Sequence, residues 1–237
     1  MTMVYTYMVL NKLIINLDNK EKTIIPYEHQ YFIHAYILSE LKKFNEKLAS
    51  QLYHSKIPYY VMSQLIPSNK AIFNTQGFIC DKLVFFITSS DLSLLQFIKF
   101  IFEQNKIIQI KNLKLKVYSS YIIEQKVDAI IPEIVTRSPI ILKENGRYIA
   151  YGDKNFPQIL LKHIEKKYSK IMNKNIKIRA INIIFGKRKL YHIHNSPINS
   201  SIIKFMIDTD PEVIESMLCF GIGKNTQLGF GMVDIND

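Results

Sequence analysis

Glycine is scarce in this chain, cysteine scarcer, and acidic residues are outnumbered by basic ones. The two cysteines, Cys80 and Cys219, are too few for a disulfide framework or a cysteine-based metal site, so both are expected as small core residues in a reducing compartment. The longest apolar run, Leu94–Phe102, is broken by Gln96 and Lys99 and falls far short of the about 20 residues that a membrane span needs. The opening "MTMVYTYMVLNKLIINLD" has neither the basic start nor the small-residue cleavage site of a secretory signal. These shortages together predict a cytoplasmic protein with no membrane partner.

What is present is mostly apolar and basic. Hydrophobic residues make up 48% of 237, enough for one large domain or two small ones with real cores. Against 20 Asp and Glu stand 31 Lys and Arg, a formal charge of +11, which favours polyanionic partners and nucleic acid above all. Fourteen Tyr and fourteen Phe add surfaces on which bases can stack, although most of the Phe is expected in the core.

Four of the eight glycines fall in one stretch, "GIGKNTQLGFG", Gly221 to Gly231. A P-loop would follow Gly-Lys with Ser or Thr and a helix, but Lys224 precedes Asn225 and the sequence ends thirteen residues later. A dinucleotide fingerprint would need a strand before, a helix after and an acidic residue further on, and "MVDIND" holds none of these. The stretch therefore requires φ > 0 or close approach of another backbone. A β-bulge or hairpin turn and an anion-binding loop both meet that requirement.

Periodicity divides the rest. Val4–Leu17 reads as a strand, Pro26 opens a helix with Ile33, Ile37, Leu41 and Phe44 on one face, and Asn45 suits the cap of a second helix through about Tyr53. "IPYYVMSQLI" reads as a strand and "KAIFN…KLVFFITS" as a hairpin. Ser90 or Asp91 caps a helix through about Phe102, and "NLKLKVYSSYIIEQ" closes the half. From Ala129 a second array follows: "AIIPEIVTRSPIIL", helix Phe156–Met172, strands "KIRAINIIFG" and "KLYHIHN", an extended "SIIKFMID", helix Pro211–Leu218 and a terminal strand. Two βαββαβ orders predict an α+β protein of two tandem ferredoxin-like domains, 1–128 and 129–237, each an antiparallel sheet with helices on one face.

The pattern G-x-G-x-x-x-x-x-G-x-G in "FGIGKNTQLGFGMV" resembles the glycine-rich signature of the CRISPR repeat-cleaving endoribonucleases, the Cas-six family of the RAMP superfamily. "IPYEHQYFIHAYIL" resembles that family's first helix, "KLASQLYH" its next segment and "TRSPIIL" the opening strand of its second half. The matches run in order from Tyr27 to Val233. The resemblance implies a glycine-rich loop lying beside the first helix of the other half and contacting RNA phosphate, so that Gly221, Gly223, Lys224, Asn225, Gln227, Gly229 and Gly231 are expected at the RNA. It implies CRISPR precursor RNA as the partner, with other CRISPR-associated subunits and a second copy of the chain as further candidates.

It also implies cleavage without a metal or other cofactor. If the neighbouring 2′-OH is the nucleophile, a base takes its proton, an acid protonates the leaving 5′ oxygen and a cation steadies the phosphorane, leaving a 2′,3′-cyclic phosphate and a 5′-OH. His54 matches the family's histidine, displaced by one residue because "Leu-His" is here Leu52-Tyr53-His54. Tyr36 and Lys56 are the matching tyrosine and lysine, and His34 is the reserve acid or base; a helix-terminal histidine, a core tyrosine and a solvated lysine remain open as plain readings of the first three. His29, in "PYEHQY", reads as a structural element of the helix start. His192 and His194 alternate on one face of a strand with no carboxylate or cysteine nearby, so no metal site is assigned. With Lys187, Arg188 and Lys189 at an expected hairpin tip, His192 reads as part of an RNA-binding surface. The lysine-rich run His163–Lys177 reads as a solvated helix face. The alternative function is a non-catalytic RAMP subunit that holds CRISPR RNA.

Overall fold

A computed structural model describes residues 10–55, 57–110, 112–125, 131–193 and 196–236; the expected boundary at 128/129, Lys56, His194 and the side chain of His192 lie outside that description. The first half runs β1 (Leu10–Asp18), β2 (Ile25–Pro26), α1 (His29–Phe44), α2 (Glu46–His54), β3 (Val61–Met62), β4 (Ile66–Pro67), β5 (Ile72–Phe73), β6 (Gly77–Ile79), β7 (Lys82–Ser89), α3 (Leu92–Gln104), β8 (Ile107–Ile110) and β9 (Leu113–Gln125). Strands β3-β7-β1-β9-β8 form one antiparallel sheet. The second half runs β10 (Glu133–Thr136), β11 (Leu142–Glu144), β12 (Arg147–Ile149), α4 (Phe156–Ile171), β13 (Ala180–Ile193), β14 (Ser196–Asp208), α5 (Pro211–Phe220) and β15 (Val233–Ile235), with sheet order β13-β14-β10-β15. Setting aside the short extra strands, both sheets have the spatial order second, third, first, fourth of the ferredoxin-like fold.

Local sequence explains the helix starts. Asn45 accepts from the Leu48 amide and Asp91 from the Leu94 amide, each at 3.0 Å, so both caps satisfy donors that a helix start leaves free. Alternation does the same for the strands: Leu13, Ile15 and Leu17 of β1 and Leu83, Phe85 and Ile87 of β7 are buried against α1 and α3, while Lys12, Ile14, Phe86 and Thr88 face the opposite way. Burial of each such large side chain contributes about 1.5–3 kcal/mol.

Three expectations fail for identifiable reasons. "KAIFN" pairs with "GFI" of β6, not with β7, and with β2 forms a separate three-stranded sheet. "TRSPIIL" is not one strand: after β10 the chain bridges through Ile140 to Ser201 and turns back as the β11–β12 hairpin at Asn145-Gly146, both at positive φ, an arrangement that suits a tight hairpin. "GKRK" is not a hairpin tip, because β13 continues through it as one fourteen-residue strand. Gly186 is needed there for space, since a Cβ would come within 2.2 Å of the Tyr151 ring, beside a bulge between Ile183 and Phe185.

The halves meet through buried chemistry. Lys12 of β1 donates to Asp234 of β15 at 2.7 Å with both side chains buried, and Arg137 and Gln125 donate to the same carboxylate. Both cations lie over the Phe86 ring, at 5.7 and 5.9 Å. Thr88 donates to the Leu218 carbonyl at the end of α5, and Leu10 joins the core of the second half.

Candidate nucleic-acid interface

All four glycines of the terminal stretch sit at positive φ, between 64° and 85°, and Asn225 joins them at 58°. The reason is crowding. A Cβ on Gly231 would lie 1.9 Å from the Ile222 carbonyl oxygen, on Gly221 2.6 Å from that of Gly231, and on Gly223 2.6 Å from that of Ile141. The backbone folds onto itself and onto the segment that leads into β11: Ile222 donates to Gly231, Gly231 to Pro139 and Lys224 to Ile141. A short 3-10 turn, Thr226–Leu228, bridges the two glycine pairs.

The loop lies against the first helix of the other half, as expected. Gly229 packs on Met62 of β3 and on Gln30, in the first turn of α1. Gln30 is buried there, beside Tyr191, whose hydroxyl accepts from Gln64 at 2.5 Å; burial pushes that phenol up to about 12. Phe230 meets the Tyr191 ring edge to face at 5.8 Å.

Gly221, Gly229 and Gly231 are buried, and their amides donate to Met217, Thr226 and Pro139. They shape the loop. Gly223, Lys224, Asn225 and Gln227 remain at the surface, and the amides of Gly223, Asn225 and Gln227 have no backbone acceptor among the described residues.

On β13 the side chains of Tyr191, Lys189 and Lys187 share one face, so two lysines continue along the strand from the tyrosine that touches the loop. Burial, and after it the neighbouring Lys187, pushes the Lys189 ammonium below the usual lysine range. Arg188 points the other way and pairs with Asp153. Lys204 of β14, opposite Phe185, stands on the lysine face and binds Glu133 at 2.6 Å.

The histidines divide sharply by burial. His29 accepts from the Leu65 amide at Nε2, 2.8 Å, and donates from Nδ1 to the Pro26 carbonyl, 2.7 Å, clamping β2 and β4 to the start of α1. His34 is buried with Nδ1 2.9 Å from the Tyr60 hydroxyl. Desolvation lowers both to about 4, so both are neutral and enclosed. His54 is the exposed last residue of α2, its ring 5.0 Å from that of Tyr53, edge to face. Tyr36 packs on Phe102 and lines a groove of about 460 Å³ with Glu40, Asn105 and Ile107. Burial, then the Glu40 carboxylate, pushes its phenol up to about 12. Among the described residues no hydrogen bond or ring contact joins Tyr36 or His34 to His54, and no three His, Cys, Asp or Glu side chains cluster as metal ligands.

The family described as CRISPR associated protein Cas6, C-terminal, matches residues 123–235. A CRISPR-associated endoribonuclease-like protein, Cas6nc, from Pyrococcus horikoshii is 24% identical over 231 residues, covering 92% of this chain and 96% of the relative. The second half of the chain thus matches the Cas6 C-terminal family. Among solved structures, one described as a RAMP protein binding different RNA substrates superposes with a TM-score of 0.82 at 23% identity, over 96% of this chain and 100% of that one. A Cas6-related protein of Pyrococcus furiosus gives 0.81 at 21% identity, over 97% and 99%. The tandem ferredoxin-like architecture is thus that of Cas6 and RAMP proteins.

One residue that matters to the loop escapes a reading by composition. Lys167 lies in the lysine-rich run whose sequence reads as a solvated face, yet its ammonium donates to the carbonyls of Phe220 and Gly221, at 2.7 and 2.8 Å, and to the Thr226 hydroxyl. The signal was its spacing, three residues after Ile164 and seven after Leu160, which puts a lysine on the buried stripe of α4. The Asp234 cluster had no comparable signal, because Lys12, Gln125, Arg137 and Asp234 are distant in sequence.

Proposed function

We propose that this chain acts as a Cas6-family protein that binds CRISPR precursor RNA along the glycine-rich loop and the lysine face of β13, and cuts it within the repeat through His54. The observation that carries the binding reading is continuity. Gly223, Lys224, Asn225 and Gln227 form the surface of the loop, Phe230 joins the loop to Tyr191, and Lys189 and Lys187 follow on the same face of the strand, which gives a phosphate backbone both amides and cations to track. Gly221, Gly229 and Gly231 contribute by shape.

For cleavage, the requirement is a proton-transfer group that solvent and RNA can reach, and His54 meets it. From His54 the chain returns to α1 at Tyr60 and to the loop at Met62, eight residues on, so the imidazole lies within about 28 Å of the loop along an extended chain. The reaction would be 2′-OH attack giving a 2′,3′-cyclic phosphate and a 5′-OH, with no metal required by that nucleophile. Lys56, two residues on, is the candidate cation for the phosphorane. The exposed Tyr53 ring orients the imidazole.

The second reading, a Cas6 protein that holds CRISPR RNA without cutting it, draws support from the enclosure of His34, His29 and Tyr36. One experiment separates the two. Repeat RNA incubated with the purified protein in EDTA should yield a 2′,3′-cyclic phosphate, and His54→Ala should slow that cleavage by about 10²–10⁴-fold, the usual loss for a general acid or base, with RNA affinity retained. A wild-type protein that binds repeat RNA and leaves it intact makes the holding reading correct. Unchanged cleavage by His54→Ala removes His54 from the mechanism.

A further inference from the structure

Lys167 is a cation in an unusual place. It rises from the buried stripe of α4, and its ammonium turns inward onto the Phe220 and Gly221 carbonyls, where α5 ends and the glycine-rich loop begins. Tyr168, the next residue and fully buried, gives its hydroxyl to the same Gly221 carbonyl. A third contact reaches the Thr226 hydroxyl on the far side of the loop. The ammonium thus ties together the two ends of the segment that carries Gly223, Lys224 and Asn225. A cation also suits the negative end of the α5 dipole.

No carboxylate lies within ion-pair distance of Lys167 among the described residues. The ionisable groups around it do not replace one: Tyr168 and Cys219 are pushed up by burial and stay neutral, Glu215 of α5 acts on Cys219, and Lys166, Lys224 and His163 are cationic or neutral. His163, one turn earlier on α4, is lowered first by burial. An enclosed cation without a counter-charge is costly, and the Lys167 side chain is only partly exposed. What would complete the site is an anion on the outer surface of the loop.

We infer that Lys167 is the positioning residue of the glycine-rich loop and, when protonated, the positive charge behind it, matched by an RNA phosphate held at Gly223–Gln227. The inference rests on the RNA-binding reading given above. Carbonyls that would repel a phosphate are held inward by the ammonium, and the amides and Lys224 are left facing out. Burial lowers the Lys167 ammonium to about 7, so above neutral pH the free protein holds it as an amine and phosphate binding must restore the proton. RNA affinity should then fall as the pH rises from about 7 to 9, by up to about tenfold per unit where binding takes up one proton. His163 titrates below neutrality and does not contribute to that window.

The test is fluorescence anisotropy of a labelled CRISPR repeat RNA, at fixed salt, from pH 6 to 9.5, on wild type, Lys167→Met and Lys167→Arg. Lys167→Met should bind at least tenfold more weakly at pH 6.5 and lose the fall above pH 7. Lys167→Arg, charged throughout, should bind at pH 9 more tightly than wild type does. Should either variant fold poorly, the Lys167 Cε resonance of the wild-type protein carries the question instead: its titration midpoint should move up on adding the RNA. A pH profile shared by wild type and Lys167→Met, or a midpoint that the RNA leaves in place, overturns the inference. If Lys224→Ala with Asn225→Ala leaves RNA affinity unchanged, the loop is not the RNA contact, and the functional reading fails together with the role given to Lys167.

Discussion

Replacing Gly231 by alanine should unlock the joint between the loop and the terminal strand. The residue sits at φ +69°, and its Cβ would stand 1.9 Å from the Ile222 carbonyl oxygen, a backbone atom fixed by its own neighbours. The clash cannot be relieved by a rotamer. Either the loop or β15 must move, and with it go the hydrogen bonds from Ile222 to Gly231 and from Gly231 to Pro139, both 2.8 Å. Loss of two such bonds at about 1 kcal/mol each and left-handed strain of about 1–2 kcal/mol predict a loss of ~3–4 kcal/mol. Gly146 is the control: its φ is +83° and nothing lies within 4 Å of its Cβ position, so Gly146→Ala should cost only the strain, about 1–2 kcal/mol. Gly229→Ala falls between them, because its nearest neighbour at 2.5 Å is the flexible end of Met62. Urea unfolding followed by circular dichroism measures all three. With a slope of about 3 kcal/mol per molar, Gly231→Ala should shift the midpoint down by about 1 M and Gly146→Ala by less than about half of that. Equal shifts for Gly231→Ala and Gly146→Ala would refute the claim that close backbone approach, rather than φ alone, requires the glycine.

Three other outcomes follow from the same geometry. Asp234→Asn removes the partner of buried Lys12 and should destabilise the protein by about 3 kcal/mol or more, read from the same urea curves; a loss under about 1 kcal/mol would mean that Lys12 finds water. Lys187→Ala with Lys189→Ala should flatten the dependence of log affinity on log salt by about 1.4–1.8, at about 0.7–0.9 per lost phosphate contact, whereas Arg188→Ala, which removes a pair with Asp153, should leave the slope unchanged. His29 and His34 are lowered from 6.5 to about 4, so the unfolded chain binds protons between those values that the folded chain refuses; stability should be whole above pH 6.5 and fall as the pH drops through that window, by up to about 2.7 kcal/mol per unit for two groups, and His34→Gln should halve the fall.

Much of this fold was legible because it rests on local chemistry. Asn45 and Asp91 announced their helices by capping, and the alternation of Leu13, Ile15 and Leu17 announced the central strand of the first sheet. What stayed illegible was distant pairing. Nothing local tells "KAIFN" to choose β6 over β7, and Gly186 in "GKRK" has the signature of a turn but stands in a strand because Tyr151, thirty-five residues away in sequence, lies over it. The same distinction holds in the site. Clustered glycines pointed to the loop and the family resemblance to its position against α1, but the division between Gly223 at the surface and Gly221, Gly229 and Gly231 inside depends on which carbonyl each faces. The choice among histidines likewise turned on burial, which sets His29 and His34 inside the first half and leaves His54 at a helix end.

The loop is at once a joint and a proposed contact, and that double role determines which substitutions are informative about RNA. Gly231, Gly229 and Gln30 belong to the joint: changing them disturbs how the second half seats on α1 and β3, so weaker RNA binding by such variants would not distinguish a lost contact from a lost fold. Lys224 and Asn225 belong to the surface. Lys224 is exposed and the hydrogen bond that secures its position to Ile141 comes from its backbone amide, which alanine retains. Its ammonium can therefore be removed without loosening the joint, and the stability of Lys224→Ala should stay within about 0.5 kcal/mol of wild type, as for surface changes in general. A fall in RNA affinity at unchanged stability would belong to the contact alone, and with Gly231→Ala as its opposite, stability lost by the joint alone, the two functions of the glycine-rich loop can be measured separately.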